Sequence, residues 1–320
     1  MRIGFFGGGP QALCALKTVF GMPDVEICFV HPRTQDDVII TEFCSIHGTK
    51  LLDVPNINEE EAINEIRKFD VDLLLSMNCK QIFKSELLSL PRLGSVNIHN
   101  GLLPRQRGGG GAYVGLINGE TCGTTAHFID EGIDDGDIIE QIPVEVDDDT
   151  TMGELQQRFV ENTPALVSEV FERLKAGTIE RRSQKSSPFY YVPAKPEWDE
   201  FIDWRMTSRQ IFDRFRAREP GPDPFFVVGL ERFFVLEIIR EPKLLEHENA
   251  PGQVLKKCSR RGNLVKTRDT GLWISRVRRE SGGDSFIPDF RIGSMLMANV
   301  DKKVFELEQR IMELEKSLKL

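Results

Sequence analysis

The segment from Gly94 to Glu140 contains the side chains whose types and spacing could best support acid–base chemistry. Asn97 and His99 stand two residues apart near the end of a predicted strand, so both side chains point to the same face. The Asn97 amide can donate a hydrogen bond, and the His99 imidazole can exchange a proton near neutral pH. Such an imidazole needs an acid that orients it and balances its proton.

An acidic turn downstream supplies several carboxylates that could serve His99. The candidates are Asp130, Glu131, Asp134, Asp135 and Asp137. Their spacing alone does not choose among them. Four successive glycines, Gly108 to Gly111, lie between His99 and this turn, and glycine loses much conformational entropy on folding. We expect close approach of a ligand to explain the glycine run.

The elements that must position these groups alternate between strand and helix. Strands are predicted at Arg2 to Phe6, Val25 to Val30, Val71 to Ser76 and Gly94 to Ile98, with helical patterns at Pro10 to Phe20 and Glu59 to Phe69. This alternation predicts an α/β fold with a Rossmann-like, mostly parallel sheet. Ligands of such sheets bind beyond the carboxyl ends of the strands, where Asn97 and His99 lie.

A long helix is predicted after two further strands, Thr124 to Ile129 and Ile138 to Val146. Thr151 and Glu154 form a capping box at its start, and Gly177 stands where a C-cap glycine is expected. Pro164 lies inside the pattern, so we expect it to kink or split the helix.

Beyond an irregular linker at Ser186 to Pro196, the pattern changes to one helix, Thr207 to Arg218, followed by short apolar runs. These predict a smaller, mainly β C-terminal domain, and a barrel or sandwich would suit the spacing. A terminal heptad seam comprises Val304, Leu307, Ile311, Leu314 and Leu318. It predicts a helix that either forms a homodimeric coiled coil or docks on its own chain. The predicted domains are 1–190 (catalytic), 197–290 (barrel-like) and 299–320 (helical tail).

Composition restricts the classes of partner. The formal net charge of −9 and the pI of about 5.3 argue against a large nucleic-acid surface, which would need surplus Lys and Arg. The six cysteines lack metal-ligand spacing, so no metal site is expected. The N-terminus does not resemble a signal peptide, and no apolar run approaches the length of a spanning helix. We therefore expect a cytoplasmic protein that does not bind membranes.

Several short motifs of the Gly94–Glu140 segment resemble those of a known family. Asn97-Ile98-His99, Leu102-Leu103-Pro104, Arg107-Gly108 and the turn Gly132 to Gly136 are similar to the catalytic core of the 10-formyltetrahydrofolate-dependent formyltransferases. The resemblance is strong over residues 94–140 and looser over roughly 1–290. In this alignment, Asp134 takes the place of the catalytic aspartate.

The resemblance implies a chemical role for each residue. A substrate amine attacks the formyl carbon on folate N10, and His99 assists proton removal or stabilises the oxyanion. Asn97 donates a hydrogen bond to that oxygen, while Asp134 orients His99, balances its charge and accepts from the incoming amine. The co-substrate is 10-formyltetrahydrofolate. Its expected contacts are Met77, Ile82, Leu102, Leu103, Pro104, Asp130 and Asp137.

Within this family, a nucleotide-linked amino sugar fits best as the small-molecule amine. Enzymes acting on methionyl-tRNA generally carry a basic, Gly-rich insertion after the second strand, where this chain has HPRTQDDVIITEF with no lysine. Methionyl-tRNA and hydroxyornithine stay as alternatives. A noncatalytic module built around the terminal heptads is a further alternative.

A nicotinamide-dinucleotide protein is the alternative from a different class. Gly7-Gly8-Gly9-Pro10-Gln11-Ala12 satisfies the dinucleotide pattern after a strand, but the acid expected after the second strand is missing. Histidines without matching partners are interpreted as structural; they are His31, His47, His127 and His247.

Overall fold

A computed structural model describes residues 1–34, 36–184, 190–192, 200–218, 221, 223–229, 231–241 and 249–296, together with 307, 310, 311 and 314. The chain divides into two compact units, Met1–Lys195 and Pro196–Leu320. Most of the predicted linker and of the predicted 299–320 tail lies outside the described residues. The four described positions of the tail are helical, and their side chains are exposed.

The first unit contains eight described strands and six described helices. The strands are β1 (Arg2–Gly7), β2 (Glu26–Pro32), β3 (Leu73–Met77), β4 (Ser95–His99), β5 (Gln106–Arg107), β6 (Cys122–Phe128), β7 (Ile138–Val144) and β8 (Tyr190–Tyr191). The helices are α1 (Gly9–Phe20), α2 (Val38–His47), α3 (Glu60–Arg67), α4 (Ser85–Leu88), α5 (Gly111–Asn118) and α6 (Met152–Ala176).

Six of these strands form one sheet in the order β2-β1-β3-β4-β6-β7. The first four are parallel to one another, whereas β6 pairs antiparallel with both β4 and β7. Helices cover both faces, as neighbouring residues of β1 show. Phe5 packs in a core with α1 and α6, while Phe6 packs in a second core with α3. The predicted α/β fold with a mostly parallel sheet is confirmed.

Sequence patterns did not predict helices α2 and α5. Helix α2 begins with Val38, Ile39, Ile40 and Thr41, and such a β-branched run favours a strand. Helix α5 starts at Gly111, inside the glycine run that was expected to be a loop. Tertiary packing decides both elements.

Helix α6 has the predicted capping box, in which the Thr151 hydroxyl accepts from the Glu154 amide and the Glu154 carboxylate accepts from the Thr151 amide. Gly177 ends the helix in the left-handed conformation. The predicted split at Pro164 is wrong, because α6 runs as one helix through it. Proline leaves the carbonyl four residues earlier without its usual donor, and the Cys14 thiol lies 3.6 Å from that oxygen, on Val160.

The second unit is mainly β, as predicted. It contains α7 (Ser208–Arg218) and the strands β9 (Phe225–Val228), β10 (Glu231–Glu241), β11 (Val254–Cys258), β12 (Gly262–Lys266) and β13 (Gly271–Arg279). The strands form an antiparallel sheet in the order β11-β12-β13-β10-β9. Trp204 is fully buried in the core of this unit. Among the described residues, no helix is long and apolar enough to span a membrane.

The capping box gives a test of the structure around α6. Thr151→Ala should lower the free energy of unfolding by about 1 kcal/mol, because the Glu154 amide loses its acceptor. Chemical denaturation measures the change. Thr151→Ser keeps the hydroxyl and should stay close to the wild type. Equal losses in the two variants would show that the cap is not the source of the stability.

Candidate active site

The carboxyl end of β4 positions the first two predicted residues. Asn97 and His99 lie on the same face of the strand, and both side chains are partly buried. Strand β6 runs antiparallel beside β4, and its register sets His127 directly opposite Asn97. The Asn97 side-chain nitrogen lies 3.2 Å from Nε2 of His127. Strand pairing alone therefore joins an amide and a second imidazole.

Asp134 completes the cluster from the acidic turn. One carboxylate oxygen lies 3.5 Å from Nδ1 of His99, and the other lies 3.5 Å from Nε2 of His127. The Gly108 amide donates to the first of these oxygens at 3.0 Å. Of the five acids that the sequence left open, Asp134 is thus the one that the fold brings to both imidazoles.

The hydrogen bonds of His99 determine which of its nitrogens can react. Nε2 lies 2.7 Å from the main-chain oxygen of Gln106, and this contact requires an N–H donor on Nε2. Burial lowers the pKa of His99 below its usual value, although the charge of Asp134 opposes the shift. A neutral His99 therefore presents the lone pair of Nδ1 toward the site.

Asp134 carries the negative charge beside that imidazole. Burial raises the pKa of its carboxyl, but the hydrogen bond from His127, the charges of His99 and His127, and the Gly108 amide outweigh it. The result is a pKa of about 2. Asp134 is therefore a carboxylate throughout the neutral range, and it would stabilise an imidazolium on His99.

His127 was interpreted as a structural histidine, and that interpretation is wrong in its premise, because the residue does have matching partners. Its Nδ1 donates to the Phe128 carbonyl at 2.7 Å, which leaves Nε2 between Asn97 and Asp134. Its side chain is 2% exposed. The alternation of side chains along β6 was the one sequence signal that could have pointed to His127. It becomes informative only once β6 is known to pair with β4.

The other histidines differ from His127. His31 is buried, and its Nδ1 lies 3.0 Å from the Leu52 carbonyl. His47 ends α2 and packs against Phe20 and Phe43. Neither has a recorded contact with the cluster. His247 lies outside the described residues.

Two positions of the glycine run leave no room for a side chain, because the chain packs against itself there. A Cβ at Gly108, where φ is +93°, would lie 2.5 Å from the Val192 carbonyl oxygen. A Cβ at Gly111 would lie 2.1 Å from the carbonyl oxygen of Gln106, the same atom that holds His99. The expected ligand approach therefore does not explain these two positions, where the protein's own backbone makes the close contact.

The predicted folate contacts occupy varied environments. Met77 and Leu103 are buried, whereas Ile82 is exposed. The remaining four are partly exposed; they are Leu102, Pro104, Asp130 and Asp137. The Asp130 carboxylate accepts a hydrogen bond from Gly132 and so shapes the acidic turn. These folate contacts stay predictions.

The structure argues against the dinucleotide alternative. In a dinucleotide fold, the pyrophosphate lies at the N-terminus of the first helix. Here a carboxylate oxygen of Asp37 accepts from the Gly9 amide at 2.9 Å. The chain thus supplies its own anion at the start of α1, and this charge would repel a phosphate. Among the described residues, no group of His, Cys, Asp and Glu could hold a metal ion.

Together, the fold and the site define a class. An amide donor, a neutral imidazole and a partly buried carboxylate at the edge of a mostly parallel sheet suit the transfer of an acyl group. Comparison with known proteins gives the same class. Residues 28–171 match the formyl transferase family, and residues 196–293 match the C-terminal domain of formyl transferases.

The chain belongs to the formyl transferase family. A methionyl-tRNA formyltransferase from Syntrophomonas wolfei is 31% identical over 240 residues, covering 72% of this chain and 76% of the relative. The predicted class, a folate-dependent N-formyltransferase with 10-formyltetrahydrofolate as co-substrate, is confirmed.

Solved structures share the fold at lower sequence identity. A 4-N formyltransferase from Francisella tularensis superposes with a TM-score of 0.61 at 24% identity, covering 71% of this chain and 92% of that one. An N-formyltransferase from Helicobacter canadensis, solved with folinic acid and dTDP-3-aminofucose, gives 0.63 at 16% identity, covering 86% and 98%.

The position of His127 gives a prediction. His127→Ala should lower formyl transfer about tenfold to a hundredfold, because the Asn97 amide and one Asp134 oxygen lose a partner, and hydrogen bonds to charged groups contribute about 1.5–3 kcal/mol. Steady-state kinetics measures the loss. His31→Ala is the matched control, since it removes a buried histidine with no recorded contact to the cluster. Turnover at the wild-type rate in His127→Ala would contradict the role.

Proposed function

We propose that this enzyme transfers the formyl group of 10-formyltetrahydrofolate to the primary amine of a nucleotide-linked amino sugar, using Asn97, His99 and Asp134. The observation that carries the proposed chemistry is the pairing of a neutral His99 with an ionised Asp134 at 3.5 Å. The acceptor rests on separate arguments, which concern charge.

The reaction begins with attack of the amine nitrogen on the formyl carbon. The carbonyl oxygen then becomes an oxyanion, and Asn97 donates a hydrogen bond to it. The Asn97 amide has two N–H groups, so its contact with Nε2 of His127 leaves at least one of them for the oxyanion. Oxyanion contacts of this kind contribute about 3–4 kcal/mol where they have been measured.

The proton of the attacking nitrogen moves to Nδ1 of His99. The imidazolium that forms is stabilised by the Asp134 carboxylate, while its Nε2–H stays bonded to the Gln106 carbonyl. When the intermediate collapses, the bond between the formyl carbon and N10 breaks, and His99 returns the proton to N10. The products are the formamide and tetrahydrofolate, and His99 is neutral again.

The charge distribution supports a small acceptor. Residues 1–195 hold 18 Lys and Arg against 29 Asp and Glu, so the unit that carries the site is strongly acidic. The segment after β2 leads into α2, and Asp37 at its start turns toward α1. A polyanionic tRNA would need an extended positive surface near the site, whereas the single diphosphate of a nucleotide-linked amino sugar would need far less positive charge.

Methionyl-tRNA is the second candidate acceptor. The observation that favours it is the name carried by the Syntrophomonas relative and by seven further curated relatives. Residues 196–320 hold 23 Lys and Arg against 21 Asp and Glu, so the second unit has no large positive surplus. Charge therefore favours the amino sugar, and the names of the curated relatives favour the tRNA.

The three proposed residues can be tested by substitution. Asn97→Ala, His99→Ala and Asp134→Ala should each lower kcat about a hundredfold or more, because each removes a group that acts on the developing charge. Steady-state kinetics with 10-formyltetrahydrofolate measures the effect. Asn64→Ala, at an exposed position of α3, and His47→Ala, at the end of α2, are matched controls, because both side chains belong to helices rather than to the cluster. Near-wild-type turnover in any of the three would remove that residue from the mechanism.

The pH profile provides a second readout of the same mechanism. His99 must be neutral to accept a proton, and burial lowers its pKa below the usual 6.5. Activity should therefore rise with pH, and the midpoint of this rise should lie below 6.5. In Asp134→Asn, the charge that raises the pKa of His99 is gone, so the acid limb should move to lower pH. A limb that moves upward would contradict the assignment of His99 as the base.

A substrate panel tests the acceptor. Nucleotide-linked amino sugars and methionyl-tRNA are each incubated with enzyme and 10-formyltetrahydrofolate, and formylated product is measured by mass spectrometry. We expect at least one amino sugar to be formylated, with weak dependence on salt because few phosphates are contacted. Formylation of methionyl-tRNA alone, with steep loss of activity at higher salt, would overturn the proposed acceptor and leave formyl transfer intact.

A further inference from the structure

The acidic turn is held from outside the Gly94–Glu140 segment by residues that follow α6. Ile138 and Arg182 exchange two main-chain hydrogen bonds of 2.8 and 2.9 Å, so the chain returns alongside the start of β7. This return brings Gln184 to the turn that carries Asp134. The Gln184 side chain is 2% exposed, which is unusual for a glutamine and requires partners.

Gln184 binds two main-chain carbonyls of the acidic turn. Its side-chain nitrogen donates to the Asp134 carbonyl at 3.1 Å and to the Gly136 carbonyl at 2.6 Å. Its side-chain oxygen accepts from Arg107 at 3.0 Å. Both N–H groups and the carbonyl of one amide are thus used within a single buried cluster.

Arg107 connects Gln184 to a side chain of the same turn. Its guanidinium is buried and makes an ion pair of 2.6 Å with Asp135. The next residue, Gly108, donates its amide to the Asp134 carboxylate. The Arg107 carbonyl accepts from Val192, so this strand is itself held in place by β8.

Asp134 needs such support because of its backbone. Its φ is +50°, in the left-handed region that non-glycine residues adopt only when the surroundings impose it. Of the two carbonyls that Gln184 binds, one is that of Asp134 itself and the other lies two residues further along the turn. If the turn relaxed, the carboxylate would move away from Nδ1 of His99 and from Nε2 of His127.

We propose that Gln184, acting together with Arg107, is a positioning residue that holds the Asp134 carboxylate against the two imidazoles. It touches neither substrate nor the reacting atoms and acts only through the turn. The inference rests on the proposed role of Asp134. Gln184 lies outside both regions matched to the family, 28–171 and 196–293, so the family match does not point to it.

The test measures the His99 imidazole directly by proton NMR in the full chain. Asp134 raises the pKa of His99, while His127 and Arg107 lower it. In Gln184→Ala, the carboxylate moves away, and the titration midpoint of His99 should fall. The chain has five histidines, so His99→Ala identifies the resonance. An unchanged midpoint in a folded Gln184→Ala protein would overturn the proposal.

A second variant separates the donated hydrogen bonds from the contact with Arg107. Gln184→Glu keeps an oxygen that can accept from Arg107 but has no N–H for the two carbonyls. It should lose activity as Gln184→Ala does, with kcat about tenfold lower or more and KM nearly unchanged. Wild-type kcat in Gln184→Glu would overturn the proposal, since the donated bonds would then not matter.

Two controls distinguish positioning from stability and from the proposed chemistry. Asn263→Ala removes a fully buried amide of the second unit that bonds to Phe290 in the same way, so it should lower stability and leave kcat unchanged. Asp134→Ala is measured in the same series. An inactive Asp134→Ala beside a fully active Gln184→Ala overturns only the positioning role, whereas an active Asp134→Ala overturns the proposed function itself.

Discussion

The geometry of the candidate site depends on one largely buried charge. Asp134 must stay ionised inside the protein, at the place where two imidazole rings meet. Removing a carboxylate from water is costly unless donors and positive charge replace the solvent. Here the Gly108 amide donates to the carboxylate, and together with the two histidines it lowers the pKa of Asp134 to about 2. The same negative charge would stabilise an imidazolium on His99, which suits the proton transfer proposed for this site.

The sheet topology places those imidazoles. Four parallel strands end at one edge, and β4 brings Asn97 and His99 there. The next strand in the sheet, β6, runs the other way, and its register sets His127 opposite Asn97. Phe128, at the carboxyl end of β6, lies opposite Val96, so the acidic turn begins beside the amino end of β4. The turn must therefore fold back to bring Asp134 to His99 and His127.

Backbone packing around Gln106 fixes the position of the carbonyl that binds His99. Its carbonyl accepts from His99, and its side chain bonds to the main chain of Leu102 and Thr121. A Cβ at Gly101 or at Gly111 would lie within 2.5 Å of the Gln106 carbonyl oxygen. These glycines allow the loop after β4 to close on itself, and the tautomer of His99 follows from that closure. Packing at these glycines thus helps to hold the His99 imidazole in place.

The sequence by itself determined the alternation of strands and helices, the capping box of α6 and the proximity of Asn97 to His99, because these depend on local periodicity and on short-range hydrogen bonds. It also suggested Asp134, through resemblance to a family. Only the tertiary structure decided that His127 joins the cluster and that Gln184 and Arg107 hold the acidic turn. Those contacts join residues far apart in the chain, and strand register and a left-handed backbone, which no short pattern encodes, bring them together.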